Sequence, residues 1–188
     1  MGKTHSEGFT LIELLVVLSI VAVLITVGMP ALRDFVATNR MSSAVNDLVT
    51  DLHLARSEAI KRNLIVQICP STDWDAEIPE CDNDASFADG WILVIDPDNR
   101  AIVAQAHGPL PDTFNIQLDF KPPIAFSNNG QLWGVNSDGE MNLLLCDERG
   151  DHNTGAGIAG GRWVNIRGTG RPRVYAKRAD IQSILGGC

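Results

Sequence analysis

The 188-residue sequence predicts an α+β protein, in which one long N-terminal helix packs its C-terminal half on a head of short antiparallel strands. Three observations predict it. No charged side chain occurs from Leu14 to Leu32, so the chain begins with a strongly apolar segment. Beyond Pro30, apolar residues return at Met41, Val45, Leu48, Leu52, Ala55 and Ala59, and their spacings of 4, 3, 4, 3 and 4 describe one buried stripe of a helix. From Leu64 onward the pattern changes to short apolar or alternating runs divided by turn residues, as antiparallel sheets require.

Composition narrows the function classes. With 45% hydrophobic and 20% charged residues the chain has the means to build a core, which excludes a disordered or collagen-like polymer. The formal net charge of −8 argues against a polyanionic partner until it is divided by position. Residues 1–148 hold 8 Lys and Arg against 21 Asp and Glu, whereas residues 149–188 hold 7 against 2, net −13 and +5. An acidic body carries a basic end.

The apolar segment from Leu14 to Leu32 is long enough to cross a hydrocarbon core as a helix. It is too long for the apolar part of a secretory signal peptide, about 7–15 residues, and it does not end in a small-residue cleavage site. A polar leader, Met1 to Glu7, is followed by Gly8 and then by Phe9-Thr10-Leu11-Ile12-Glu13-Leu14-Leu15-Val16-Val17-Leu18. This order resembles the prepilin signature of type IV pilins and type II secretion pseudopilins. The resemblance implies a type IV pilin fold with a leader over 1–8 and a long helix over 9–62, whose 9–32 part is transmembrane before assembly and filament core afterwards. It further implies a prepilin peptidase that cuts between Gly8 and Phe9 and N-methylates Phe9, a single-pass inner-membrane subunit with its head in the periplasm, and later display on a pilus at the cell surface. The leader departs from the pattern in carrying only Lys3 as a cation and in placing Glu7 beside Gly8.

Glu13 has a physical reading of its own. A carboxylate at membrane depth is costly and calls for a partner. Cleavage creates an ammonium on Phe9, four residues earlier, and in a filament the Glu13 of one subunit would neutralise that amine on its neighbour and set the axial register. Gly28 and Pro30 are expected to bend or loosen the helix. Farther along, Arg40, Ser42, Asn46, Asp47, Asp51, Arg56, Glu58, Lys61 and Arg62 form its solvated face. A helix from Phe9 to Arg62 would be about 80 Å long at 1.5 Å per residue.

The head over 63–188 is expected to contain strands at Leu64 to Cys69, Trp91 to Ile95, Ala101 to Ala106, Phe114 to Phe120, Met141 to Cys146, Trp163 to Arg167 and Arg173 to Ala176. Asp96-Pro97-Asp98-Asn99, Asn128-Asn129-Gly130 and Ser137-Asp138-Gly139 supply turns between them. The cysteines Cys69, Cys81, Cys146 and Cys188 read as two disulfides in an oxidising compartment. Cys69 with Cys81 and Cys146 with Cys188 is the favoured pairing of the three that four cysteines allow. No CxxC or neighbouring His supports a metal site, and no cofactor is expected.

Nine acidic residues and no Lys or Arg occupy Asp73 to Asp98, yet neither acidic cluster follows the spacing of an EF-hand, so the segment reads as a solvated loop. His107 stands alone in sequence, and no nucleophile, base and acid fall into a catalytic grouping. An enzyme is not expected.

Between residues 171 and 178 lie Arg171, Arg173, Lys177 and Arg178, with Arg162 and Arg167 on the preceding expected strand. A hairpin around Gly168 to Pro172 would gather these cations at its tip, where guanidinium forks grip phosphate oxygens in pairs. Such a patch binds DNA without regard to sequence, and salt weakens it through counterion release. Tyr175 offers a face for base stacking. The prepilin start, the Val66-Gln67-Ile68-Cys69-Pro70 strand, the Asp89 to Asp96 segment and the Gly-Arg-x-Arg near the C-terminus together resemble the GspH/FimT family of minor pseudopilins and pilins. Within that family, FimT-like minor pilins of naturally competent bacteria bind DNA through Gly-Arg-x-Arg, here Gly170, Arg171, Pro172 and Arg173. The resemblance thus implies a minor type IV pilin that works in DNA uptake during natural transformation, with other major and minor pilins as partners. The structural alternative is a FimU-like initiator, or a GspH-like pseudopilin of type II secretion, acting only by subunit contacts.

Overall fold

The computed structural model describes residues 9–98, 101–134, 139–155 and 157–188. The leader residues 1–8, with Gly8, and the turn residues Asn99, Ser137 and Asp138 lie outside the described residues. The chain divides into two units at Asn39 and Arg40.

Helix α1, Leu11–Arg62, contributes to both units and continues through Pro30. In the first unit its apolar side chains from Leu11 to Leu24 are exposed, and the helix is long and apolar enough there to cross a membrane. Two of its hydroxyls are satisfied within the helix. The Ser19 hydroxyl donates to the Leu15 carbonyl at 2.8 Å and the Thr26 hydroxyl to the Val23 carbonyl at 2.9 Å, so neither brings an unpaired group to an apolar surrounding. Thr10 Oγ1 accepts from the backbone N–H of Glu13 at 3.2 Å and occupies one of the donors that a helix start leaves free.

In the second unit, the stripe from Met41 to Ala59 is buried at every position the spacing predicts. It meets two antiparallel sheets. The first runs β3-β2-β1-β5-β6, from β1 (Val66–Pro70), β2 (Trp91–Ile95), β3 (Ile102–His107), β5 (Ile124–Phe126) and β6 (Leu132–Trp133). The second runs β10-β9-β7-β4, from β4 (Asn115–Leu118), β7 (Glu140–Cys146), β9 (Ile158–Arg167) and β10 (Pro172–Lys177), with β8 (Asn153–Gly155) paired to β9. Alternation divides each strand between two surfaces. Ile68, Leu93 and Ile95 of the first sheet and Leu143, Leu145, Val164 and Ile166 of the second share one core with the helix stripe. On the opposite faces, Cys69, Ile92 and Val94 pack beneath Trp74 and Cys81, while Leu144 and Cys146 pack beneath Ile181 of α2 (Arg178–Ser183).

Two disulfides tie β1 to the loop that follows it and the end of β7 to the last residue. Cys69 is bonded to Cys81 and Cys146 to Cys188, with Cα separations of 5.5 and 5.6 Å, ordinary for a disulfide.

One helix position departs from expectation. Asp51, expected on the solvated face, is 3% exposed. Trp91 Nε1 donates to its Oδ2 at 2.8 Å, and His107 Nε2 lies 2.9 Å from the same oxygen, its ring stacked on Trp91 at 4.8 Å. His107 is therefore not alone: it and Trp91, paired across β2 and β3, join the sheet to the helix through one carboxylate. Burial raises the Asp51 pKa, and the Trp91 hydrogen bond and the facing His107 offset only part of that rise.

Candidate nucleic-acid interface

The β9–β10 hairpin pairs Pro172 with Ile166, Arg173 with Asn165, Val174 with Val164 and Tyr175 with Trp163. Its turn closes with the Gly170 N–H donating to the Arg167 carbonyl at 2.7 Å. Gly170 adopts φ +72°, a conformation that side chains disfavour, and a Cβ there would overlap the Gly130 carbonyl oxygen. The glycine of the Gly-Arg-x-Arg segment thus lets the turn sit against the loop that joins β5 to β6. A hydrogen bond from the Leu132 N–H to the Gly168 carbonyl, 3.0 Å, ties the two together.

The cations are not gathered at the tip as the sequence suggests. Arg171 occupies the turn, Arg173 lies two residues into β10, and Lys177 and Arg178 lie at the strand's far end, about 20 Å from Arg171 at 3.3 Å per residue. β10 is an edge of its sheet, and all four residues are exposed. None of the four makes a side-chain hydrogen bond or ion pair among the described residues.

The two cations on β9 differ. Arg162 is 8% exposed, and its Nη1 donates to the carbonyls of Ala159 and Gly161 at 2.7 and 2.8 Å, so it is removed from the surface patch assigned to it. Burial lowers its pKa, Arg149 adds to the effect, and Asp147 opposes it. Arg167 is exposed but engaged, with Nε 3.1 Å from Glu140 Oε1. Tyr175 is also committed, its ring stacked on Trp163 with centroids 4.3 Å apart. Trp163 Nε1 in turn donates to Asn142 Oδ1 at 2.9 Å.

Sequence reasoning missed a recess of about 330 Å³ beside the turn, lined by Arg56, Asn129, Gln131, Thr169 and Arg171. Periodicity assigned Arg56 to a solvated helix face and Asn129 to a turn. No local signal joins them, because only the packing of the hairpin on the β5–β6 loop brings them together. At the N-terminal end, Phe9 and Glu13 are both exposed, and the geometry gives neither a partner among the described residues beyond the helix start. The described residues contain no cluster of His, Cys, Asp and Glu able to hold a metal ion.

The family described as Type II transport protein GspH matches residues 44–170, more than half of the chain, and the prokaryotic N-terminal methylation motif matches residues 3–29. A fimbrial protein of Neisseria meningitidis serogroup A is 36% identical over 77 residues, covering 38% of this chain and 45% of that protein. Fimbrial protein EcpC of Eikenella corrodens is 46% identical over 46 residues, 24% of this chain and 30% of that protein. The chain thus spans less than half the length of these curated relatives. Among solved structures, the type IV minor pilin FimU of Pseudomonas aeruginosa aligns with a TM-score of 0.53 at 21% identity, over 75% of this chain and 92% of that one.

Proposed function

The chain belongs to the GspH family of type II transport proteins, and from that premise we propose that it is a minor type IV pilin whose β10 edge binds DNA, independently of sequence, for uptake in natural transformation. The observation that carries the reading is the set of four exposed cations, Arg171, Arg173, Lys177 and Arg178, left without internal partners among the described residues while the other C-terminal arginines are engaged. A row of about 20 Å spans about six phosphates of one strand at 3.4 Å of axis each. The acidic remainder of the molecule, net −13 over residues 1–148, repels a polyanion from other surfaces and favours approach along this edge.

Assembly is assigned to the other end. The apolar part of α1 holds the subunit in the inner membrane with its head in the periplasm. Prepilin peptidase then cuts after Gly8 and methylates Phe9, and Glu13 neutralises the terminal ammonium of a neighbouring pilin in the filament. Glu13→Ala is expected to leave membrane insertion intact and to lower incorporation into fibres severalfold; normal incorporation would contradict the role.

Charge on an edge strand also blocks edge-to-edge pairing, which is reason enough for it in a subunit that acts only by contacts with other pilins. Binding to duplexes of unrelated sequence separates the two readings. The full chain in detergent micelles is expected to bind them with similar affinity, and Arg171→Ala and Arg173→Ala to weaken binding about tenfold or more together. Absence of binding at low salt would leave the contact-only reading.

A further inference from the structure

The recess beside the hairpin turn has a donor inventory that its volume alone does not convey. Asn129 Oδ1 already accepts from Ser127 Oγ at 2.6 Å and from the Gln131 N–H at 3.0 Å. Gln131 Oε1 accepts from Asn129 Nδ2, also at 3.0 Å. The acceptor oxygens of both amides are thereby occupied, and this fixes the Gln131 NH2 as a donor without a partner among the described residues. Arg56 uses its Nε–H on the Gly130 carbonyl at 3.1 Å, which orients the guanidinium plane and leaves its two terminal NH2 groups unbonded among the described residues. Its helix neighbours behave otherwise, since Lys61 and Arg62 both pair with Glu58. Arg171 and the Thr169 hydroxyl complete the lining from the turn. Two guanidinium groups from distant parts of the chain, one amide NH2 and one hydroxyl converge, while no carboxylate lines the recess.

Resting on the DNA reading of the β10 edge, we propose that this recess seats one phosphodiester of the bound strand, with Arg56 and Arg171 holding its oxygens and Gln131 and Thr169 supplying further donors. A surface rich in donors whose acceptors are spent selects an anion with several acceptor oxygens, and forked guanidinium groups favour phosphate. The volume of about 330 Å³ exceeds a lone phosphate and leaves space for the flanking sugars. The seat lies at the Arg171 end of the cation row, so it anchors a strand that Arg173, Lys177 and Arg178 then follow. Gly170 makes this possible, because a side chain there would push the turn off the Gly130 carbonyl and separate Arg171 from Arg56.

Two measurements on the full chain in detergent micelles test the seat. Amide shifts are followed on addition of inorganic phosphate, thymidine 5′-monophosphate or thymidine. The two phosphates should move Gly130 and Thr169, thymidine should not, and Gln131→Glu, which puts a carboxylate in the recess without touching Arg56, should abolish the effect. No shift with either phosphate, or an equal shift with thymidine, overturns the proposal. DNA affinity is then measured against salt. Gln131→Glu and Arg56→Gln should each weaken binding about tenfold and reduce the salt slope by about 1, the release expected for one phosphate. If Arg173→Ala weakens DNA binding while Gln131→Glu leaves affinity and slope unchanged, the seat is wrong and the DNA reading stands. If the phosphates bind at Gly130 and duplex DNA does not bind at all, the seat stands and the DNA reading falls.

Discussion

Strands β9 and β10 lie side by side and turn their arginines to different ends. On β9, Arg162 points into the molecule and donates to backbone carbonyls, and Arg167 pairs with Glu140. Nearby, Arg149 folds back on Asp147 through its Nε at 3.0 Å. Along β10 and at its two ends, Arg171 in the turn, Arg173 and Lys177 on the strand and Arg178 at the start of α2 have no such partners among the described residues. Net charge counts all seven cations alike, but only the second set keeps its full capacity for an external anion. The difference follows from position: β9 has strands on both sides and buries Arg162, whereas β10 is an edge, and the turn before it and the helix after it leave Arg171 and Arg178 exposed.

Variants that loosen the support beneath the edge should have the largest effect. Opening Cys146–Cys188, whose partners lie 42 residues apart, is expected to cost about 4 kcal/mol in the chain-entropy account of cross-links. The Cys146→Ser/Cys188→Ser chain should therefore unfold at markedly lower denaturant, while DNA affinity measured on folded protein is retained. Arg162→Gln comes next. It strands the buried carbonyls of Ala159 and Gly161, about 2–3 kcal/mol, and should lower the melting temperature without altering DNA binding. Gly170→Ala is expected to cost about 1–3 kcal/mol, and unlike Arg162→Gln it should also weaken binding, because it disturbs the turn that carries Arg171.

Carboxylates offer the same contrast with a smaller effect. Asp51 is buried, whereas the acidic segment after Cys69 is mostly exposed. Because burial raises the Asp51 pKa above the ordinary 3.8, between 3.8 and the raised value the folded state holds a proton there that the unfolded chain has released. Its favourable contribution is full at low pH and is lost as pH rises through the raised value. Denaturant titrations should accordingly show Asp51→Asn gaining stability relative to the parent as pH climbs from below 3.8, with Trp91, His107 and Asp47 facing the group unchanged. A constant difference across that range would contradict the assignment.

Much of this architecture is legible locally. The Met41 to Ala59 stripe is buried as its spacing requires, and Trp91 to Ile95 is a strand from end to end, because a long periodic stripe and a fully apolar run have few alternatives. Glycine concealed the length of β9. Gly160 and Gly161 fall before the expected strand start at Trp163 but lie within β9, where any Cβ would meet the Gly150 carbonyl or the Cys188 sulfur. Strands β5 and β6 and helix α2 are only three, two and six residues long, too short for periodicity to register. At the candidate site the cations are visible in the sequence but their pairing is not. Arg162 and Arg171 are equivalent as letters, and burial on an interior strand against exposure in a turn distinguishes them. The Arg56 recess is a tertiary product with no local trace.

The salt dependence of DNA binding tests the division between these two sets of cations most directly. For the full chain in micelles, the slope of log K against log salt should fall by about 2 in Arg171→Ala/Arg173→Ala, at about 0.9 per lost phosphate contact. It should stay at the parent value in Arg162→Gln, measured well below its melting temperature. An unchanged slope in the double variant, or an equal fall in Arg162→Gln, would contradict the claim that the unpartnered edge is the DNA-binding surface.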